Sequence, residues 1–473
     1  MKGETGFFKT ILDRFAKKRP VPVCVRAIFA RLMPDAELDR IFHETAEVQY
    51  ERTLLFSTVM RLMFLVTTKT VPSLRQAYQA MADEIPVSLA AVYQKVNHLE
   101  PGISEALVRH SASAACAVTD QADAAQVPLV KGLRTLIVDG DHFAATEHRL
   151  MGTRDLWAGP LPGFALAIYD PQYAMVVDML PCEDAHAQER LLLGRLARRV
   201  SPNDLWLADR NFCTRDFLSD IIAREAFFVI RHHGKLEKWT PEGESRHVAS
   251  IDTGEVYEQP ISIVNNAGEV ISLRRISVRL FEKTRDGDDE IHLLTNVPSR
   301  RLSAKRACEI YRKRWKIETL FLELTTSLAG EIDTLGYPKA AIFAFALAVI
   351  AGHAVALLKS LLSMIHGRET IDANLSWYSI YVELSSAWDG MEAILPPEFW
   401  STHVGRQTIP EFTEFLLSLC RQIPLSRHQK THRGPKKPVK KKFDRRVNHT
   451  STARTLEEQK KLRKLNQTKK KAP

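Results

Sequence analysis

The spacing of apolar residues changes character twice along the chain. From about residue 28 to 116, apolar residues recur at intervals of three and four, which predicts helices. Beyond residue 126, short apolar runs alternate with turn signals, which predicts strands mixed with helices. The last 47 residues contain few apolar positions. We therefore predict an N-terminal helical domain at 1–126, an α/β domain at 127–426 and a tail at 427–473.

The elements of the α/β region follow a definite order. Short apolar runs predict strands at 133–138, 164–169, 173–179 and 204–208, and an amphipathic stripe predicts a helix at 185–200. Asp139 directly follows the first of these strands, and Asp209 follows the fourth. Three strands, a helix and a further strand are the outline of a ribonuclease-H-like α/β core, which is the predicted fold.

A β insertion interrupts this region at about 232–300. Its predicted strands lie at 255–264, 269–280 and 290–295. The apolar phase shifts between Leu273 and Ile276, which predicts a bulge that directs Arg274 and Arg275 outward.

Residues 340–358 form a stretch of 19 residues without a charge, long enough to span a bilayer. The stretch is rich in alanine and lacks a flanking aromatic belt. We interpret it as the buried helix of a large core and expect no membrane association.

Two serines indicate the start of a pair of short helices in the N-terminal region. Ser73 and Ser88 each stand at a predicted helix start, a few residues after a turn, as in a helix-turn-helix. In that arrangement the second helix would offer DNA the side chains of Tyr93, Gln94, Asn97 and His98. The alternative is an ordinary helix pair within a bundle.

The net charge of +10 is concentrated in the tail, where 18 lysines and arginines face 3 acidic residues. A tail of this composition is predicted to be disordered by itself and to contact a polyanion such as DNA or RNA. The alternative is a solubilising terminus without a specific partner.

The six cysteines show no paired spacing, which indicates a reducing compartment and no zinc site. The charged N-terminus does not have the pattern of a secretory signal. Together these features predict a cytoplasmic protein.

The segment YRKRWKIETLFLELT carries Tyr311, Arg314 and Glu318 at i, i+3 and i+7. On one continuous helix these side chains share a single face. Glu318 can hold a divalent cation, while Tyr311 and Arg314 suit a phosphate. An amphipathic helix with a solvated charged face is the alternative.

Asp139, Asp209 and Glu318 together provide the three carboxylates of two-metal phosphoryl chemistry. Two ions are expected, and Mg²⁺ or Mn²⁺ is favoured because no histidine or cysteine cluster competes for a softer metal.

The same residues resemble a known family, the bacterial insertion-sequence transposases with a DDE triad, and specifically the IS-four group. That group is marked by Y-x2-R-x3-E-x6-K, whose first three positions match Tyr311, Arg314 and Glu318. LIVDGDHF, with Asp139, and LADRNF, with Asp209, are similar to its first and second acid motifs. The final lysine of the signature is Thr325 here.

The resemblance implies a metal-dependent transposase that cuts transposon ends and joins them to target DNA. It implies Asp139, Asp209 and Glu318 as catalytic metal ligands, and Tyr311, Arg314 and Arg210 as DNA contacts. Double-stranded DNA is the expected partner, bound by a homodimer at the bacterial nucleoid. Two alternatives remain: a decayed transposase that binds DNA without cutting it, and a structure-specific nuclease.

Overall fold

The structure is a computed structural model that describes residues 2–143, 162–232, 239–265, 267–284, 287–332, 335–430 and 451–471. Its α-helices are α1 (Lys2–Lys18), α2 (Pro20–Leu32), α3 (Asp35–Thr45), α4 (Phe56–Thr67), α5 (Leu74–Ala80), α6 (Leu89–His98), α7 (Pro101–Gln121), α8 (Leu193–Ala197), α9 (Arg215–Ala223), α10 (Ala304–Arg312), α11 (Trp315–Thr326), α12 (Pro338–His366), α13 (Arg368–Asn374), α14 (Trp377–Ile394), α15 (Pro397–His403), α16 (Ile409–Cys420) and α17 (Thr452–Lys471).

The strands form one mixed sheet. They are β1 (Arg134–His142), β2 (Phe164–Asp170), β3 (Met175–Cys182), β4 (Asp204–Ala208), β5 (Phe227–Arg231), β6 (Trp239–Pro241), β7 (Arg246–Ile251), β8 (Gly254–Val264), β9 (Val270–Leu280) and β10 (Glu290–Thr295). The sheet order is β3-β2-β1-β4-β5-β10-β9-β8-β6, with β7 paired to β8. Strands β1, β4 and β5 are parallel, and β2 and β3 are antiparallel additions at one edge. The α/β prediction is confirmed as a mixed α/β structure with a central sheet.

Both faces of the central strands are covered, because successive side chains of a strand point to opposite sides. Ile137 and Leu207 belong to the large core that contains α7 and α12. Leu136 and Trp206 belong to a second core with the helices that follow β3 and β4. Burial on both sides explains why these strand sequences are apolar without alternation.

Helix α12 contains the uncharged stretch and lies in the large core. It is the one helix, within the described ranges, that is long and apolar enough to cross a membrane, and its most apolar 18-residue window is 89% buried in the protein. His353 on this helix is buried and hydrogen-bonds Ser111 of α7 and the carbonyl oxygen of Val176. The predicted buried core helix is confirmed.

The N-terminal helices share that core with the helices that follow α11. Ser73 and Ser88 cap α5 and α6 by accepting hydrogen bonds from the backbone N–H groups of Gln76 and Ala91, as predicted. A DNA-binding role for this helix pair and a domain boundary near residue 126 stay predictions.

The predicted bulge at Arg274 and Arg275 is wrong. Strand β9 pairs with β8 and β10 in unbroken register through both residues. Arg274 donates hydrogen bonds to Glu258 (2.5 Å) and to the carbonyl oxygens of Val297 and Leu302. Its guanidinium therefore pairs with neighbouring groups and does not point outward. The insertion extends the central sheet through the pairing of β10 with β5.

The single helix predicted at 185–200 is also wrong. A turn held by Asp184, which accepts hydrogen bonds from the N–H groups of His186 and Ala187 through its side chain and carbonyl, occupies the start of this segment. A 3₁₀ turn, Glu189–Leu192, and the short helix α8 follow.

The prediction of a disordered tail is wrong for Thr452–Lys471, which forms helix α17. The lysine, arginine, glutamate, glutamine and leucine residues that make this segment polar are also good helix formers. Residues 431–450 of the tail lie outside the described residues.

Candidate active site

Two of the predicted acids lie close together where the parallel pairing of β1 with β4 ends. Ile137 of β1 is in register with Leu207 of β4, so Asp139 and Asp209 follow at the same level. Asp209 directly follows β4, but Asp139 lies inside β1, because this strand continues to His142, beyond its predicted end at 138. Parallel strands lie about 4.8 Å apart, which makes the two carboxylates neighbours. The side chain of Asp209 accepts a hydrogen bond from the N–H of Asn211 (2.8 Å), which fixes the turn after β4.

Glu318 comes from α11, but the predicted continuous helix is wrong. The helix is interrupted at Lys313 and Arg314, between the end of α10 and the start of α11. There the N–H of Arg314 bonds to the carbonyl of Tyr311, three residues back, so the backbone tightens from α to 3₁₀ geometry. The i, i+3, i+7 stripe therefore does not lie along one regular helix.

Arg314 joins two of the three acids. Its guanidinium donates to Asp139 Oδ2 (2.5 Å) and to Glu318 Oε1 (2.8 Å). Arg314 is 9% exposed, and hydrogen bonds between charged groups of this kind are stronger than neutral ones. These hydrogen bonds connect the start of α11 to β1.

The charges of the site act on one another. The pKa of Asp139 is raised to about 6, because burial and the charges of Asp209 and Glu318 raise it more than the charge of Arg314 lowers it. Burial raises the pKa of the Tyr311 hydroxyl to about 12, with Arg314 and Asp209 among its charged neighbours. Arg314 contacts Asp139 and Glu318 directly, and the charge of Asp209 acts on Asp139, Arg314 and Tyr311.

The neighbours of Asp139 on β1 have different surroundings. The pKa of Asp141 is raised to about 7 by burial and by the charges of Glu331 and Asp139, and among the described residues its Oδ2 atom has no hydrogen-bond partner. The His142 ring stacks on Phe164, with ring centroids 4.9 Å apart. The ion pair with Arg314 involves Asp139.

A fourth acid, Glu189, reaches the site and was missed by the sequence analysis. Its Oε2 accepts a hydrogen bond from Asn211 (3.1 Å), and Asp209 and Arg314 affect its pKa, which burial raises. A Cβ atom at Gly140 would lie 2.1 Å from Glu189 Oε1, so the carboxylate occupies the space over this glycine. The signal in the sequence was Gly140, the small residue between two aspartates.

We expect Glu189→Gln to lower metal-dependent DNA cleavage roughly 10- to 100-fold, because it removes a charge that supports the turn carrying Asp209. Gly140→Ala should have a similar effect, since the methyl group displaces the Glu189 carboxylate from its place. Cleavage rates at varied metal concentration, with thermal unfolding as the check on folding, measure this. Full activity in both variants would show that Glu189 does not contribute to cleavage.

The remaining predicted residues occupy different positions relative to these acids. Arg210 is exposed directly after Asp209. Thr325 lies on α11, seven residues beyond Glu318, and its hydroxyl donates to the carbonyl of Phe321 (3.0 Å). Arg275 lies over the Trp239 ring at 5.1 Å, within the insertion.

Carboxylate oxygens are the donors that Mg²⁺ and Mn²⁺ prefer, so the residue types fit such ions. In the ranges that the structure describes, however, no three acidic, histidine or cysteine side chains stand close enough to hold a metal ion. The ion pairs of Arg314 occupy one oxygen of Asp139 and one of Glu318.

Comparison with known proteins gives one family match. A family model described as the transposase DDE domain matches residues 131–351. These residues include the strand ends and the helix that carry the three acids, and the match supports a DDE-type transposase, a class that generally uses divalent metal ions.

A solved structure of the piggyBac transposase synaptic complex with hairpin DNA matches with 11% identity and a TM-score of 0.41, covering 85% of each chain. A TM-score of this size does not establish a common fold. No curated protein matches the chain.

Proposed function

We propose that this protein is a DNA transposase that cuts the ends of an insertion sequence and joins them to target DNA. The observation that carries the proposal is that Arg314 links Asp139 of β1 to Glu318 of α11, with Asp209 on the neighbouring strand, within the region that matches the transposase DDE domain. Three carboxylates and a guanidinium are residue types suited to phosphodiester chemistry.

The finer assignment is to the IS-four group, on a ribonuclease-H-like core. The spacing of Tyr311, Arg314 and Glu318 supports the group. The order β3-β2-β1-β4-β5, with β2 and β3 antiparallel and the other strands parallel, supports the core.

In this proposal Asp139, Asp209 and Glu318 would hold two Mg²⁺ or Mn²⁺ ions. When bound, such ions activate the attacking oxygen and stabilise the leaving oxygen. Glu189 supports the turn at Asp209 through Asn211, and Arg314 exchanges its carboxylate partners for a DNA phosphate. The exchange is favourable because phosphate accepts the same two-pronged hydrogen bonds as a carboxylate.

Tyr311 and Arg210 contact the DNA backbone on either side of the acids in this account. Water cleaves one strand and leaves a free 3′ hydroxyl. That hydroxyl attacks the opposite strand, with loss of the flanking DNA, to give a hairpin, and the reopened end then joins the target.

The expected partner is double-stranded DNA, held by a homodimer whose protomers each act on one end. Helices α5 and α6 are the proposed additional DNA contact, through Tyr93, Gln94, Asn97 and His98. Among these, Gln94 and His98 are exposed. The protein is expected in the bacterial cytoplasm at the nucleoid.

The proposal is tested by incubating the purified protein and Mg²⁺ with labelled duplexes that carry the element's own ends. Staged nicking and joining is the expected result. Binding without cleavage would indicate a decayed transposase, and cleavage without joining would indicate a nuclease.

Replacing Thr325 with lysine should raise hairpin formation or joining about tenfold, because it adds one charge-assisted phosphate contact. Residue 325 lies two turns beyond Glu318, on the same face of α11. Thr326→Lys, which adds the same charge on a different face, is the matched control. Equal products from both variants and the unaltered protein would mean that the missing lysine is compensated.

A further inference from the structure

The N-terminal end of helix α17 contacts the α/β region at the carboxylate of Asp184. Asp184 accepts a hydrogen bond from the Ser451 hydroxyl (2.5 Å) on one oxygen and from Arg454 Nε (2.7 Å) on the other. Ser451 and Thr452 are buried, at 4% and 0% exposure. Burial alone would raise the pKa of Asp184, but these hydrogen bonds and one from the N–H of His186 lower it.

This attachment point lies at the same end of the sheet as the acids. Asp141 of β1 pairs with Ala165 of β2, and Ala165 pairs with Pro181 of β3. Asp184 follows Pro181 by three residues, so it lies beyond the strand ends, about 10 Å across two strand spacings from β1. The same loop then continues to Glu189, which contacts the turn at Asp209 through Asn211.

Beyond its attached end, α17 presents mostly positive charge. The helix carries eight lysines and arginines against two glutamates. Among its exposed positions are Lys460, Lys461, Arg463 and Lys464. A helix of 20 residues is about 30 Å long, close to one turn of a DNA duplex, whose backbone carries a negative charge every 1.7 Å or so.

We propose that α17 is a DNA-backbone contact that Asp184 holds at the catalytic end of the sheet, where it grips the duplex that enters the active site. This inference rests on the proposed function. It differs from a freely moving basic tail, in which the number of charges matters and the attachment does not. Attachment removes the entropy cost of bringing the helix to the bound duplex.

An attached helix and a freely moving tail predict opposite changes in DNA affinity for Asp184→Asn. The substitution removes a negative charge, so a freely moving tail would bind DNA slightly more tightly. If Asp184 holds the helix, the variant should bind about tenfold more weakly and show a flatter dependence of affinity on salt, because fewer counterions are released. The matched control is Glu458→Gln, which removes the same charge from α17 without touching the attachment and should not weaken binding.

The experiment uses the full chain and a labelled duplex carrying one element end, with affinity measured over a series of salt concentrations. A second pair of variants alters α17 itself and leaves the loop that contains Asp184 and Glu189 unchanged. Arg454→Gln and Arg463→Gln each remove one positive charge, but Arg454→Gln should lose several-fold more affinity because it also frees the helix. Thermal unfolding of each variant checks that the fold is intact.

Two results would overturn the inference: tighter binding by Asp184→Asn, or equal losses from Arg454→Gln and Arg463→Gln. Failure of the proposed function is separate, because it appears as an absence of cleavage and joining in the unaltered protein. The binding comparison still decides the role of α17 in that case.

Discussion

Replacing Asp139 with asparagine should lower DNA cleavage at least about 1,000-fold while DNA binding remains nearly unchanged. Asparagine keeps the size of the side chain but removes the charge that a metal ligand needs, and each 1.4 kcal/mol or so of lost transition-state stabilisation is about a tenfold loss of rate. Binding should persist because the substitution removes a negative charge near the DNA.

The control for this variant is Asp141→Asn on the same strand. Asp141 lies two residues further along β1, and the acid of this strand that forms an ion pair with Arg314 is Asp139. Single-turnover cleavage and gel-shift affinity should therefore separate the two variants. A large loss in Asp141→Asn with little loss in Asp139→Asn would transfer the ligand role to Asp141.

Replacing Arg314 with glutamine should have opposite effects on metal binding and on catalysis. The variant frees the oxygens of Asp139 and Glu318, so Mn²⁺ should bind the DNA-free protein roughly 10- to 100-fold more tightly, given about 1.5–3 kcal/mol for hydrogen bonds to charged groups. Cleavage should fall roughly 100-fold, because the phosphate loses its two-pronged partner.

Mn²⁺ affinity, measured calorimetrically or by electron paramagnetic resonance without DNA, provides the readout that is independent of activity. Arg312→Gln is the matched control, since Arg312 is exposed and pairs with Asp252 (2.7 Å), away from the three acids. Unchanged Mn²⁺ affinity in Arg314→Gln would mean that the ion pairs of Arg314 do not restrain the carboxylates.

The strands that position Asp139 and Asp209 were predictable because they are buried on both faces. Such strands form short, continuous apolar runs, and each acid directly follows its run in the sequence. The parallel register of Ile137 with Leu207 then brings the following acids together. No long-range information beyond strand order was needed for this pair.

The position of Arg314 was not predictable from spacing. The helix pattern is continuous in the sequence, but the structure interrupts the helix before α11, and Arg314 there pairs with Asp139, 175 residues away, and with Glu318. Glu189 was missed for a similar reason, since its turn depends on Asp184 and not on the apolar stripe. At both points the structure differs from the one that the local apolar pattern predicts, and charged residues there contact groups elsewhere in the chain.

The tail shows the limit of composition as a guide. A segment rich in lysine, glutamate and leucine is equally compatible with disorder and with an exposed helix. In the structure the segment is helical, and its start is held by the contacts of Ser451 and Arg454 with Asp184. The composition of the tail does not predict either contact.

The joining reaction tests the central claim most directly. A labelled duplex that ends in a free 3′ hydroxyl at the element's terminus is mixed with a supercoiled plasmid, Mg²⁺ and the purified protein. The account predicts that the label becomes covalently attached to the plasmid, and that Asp139→Asn, Asp209→Asn and Glu318→Gln each abolish this product. A folded protein that binds the duplex but never transfers the label, or transfers it equally well in the three variants, would contradict the account.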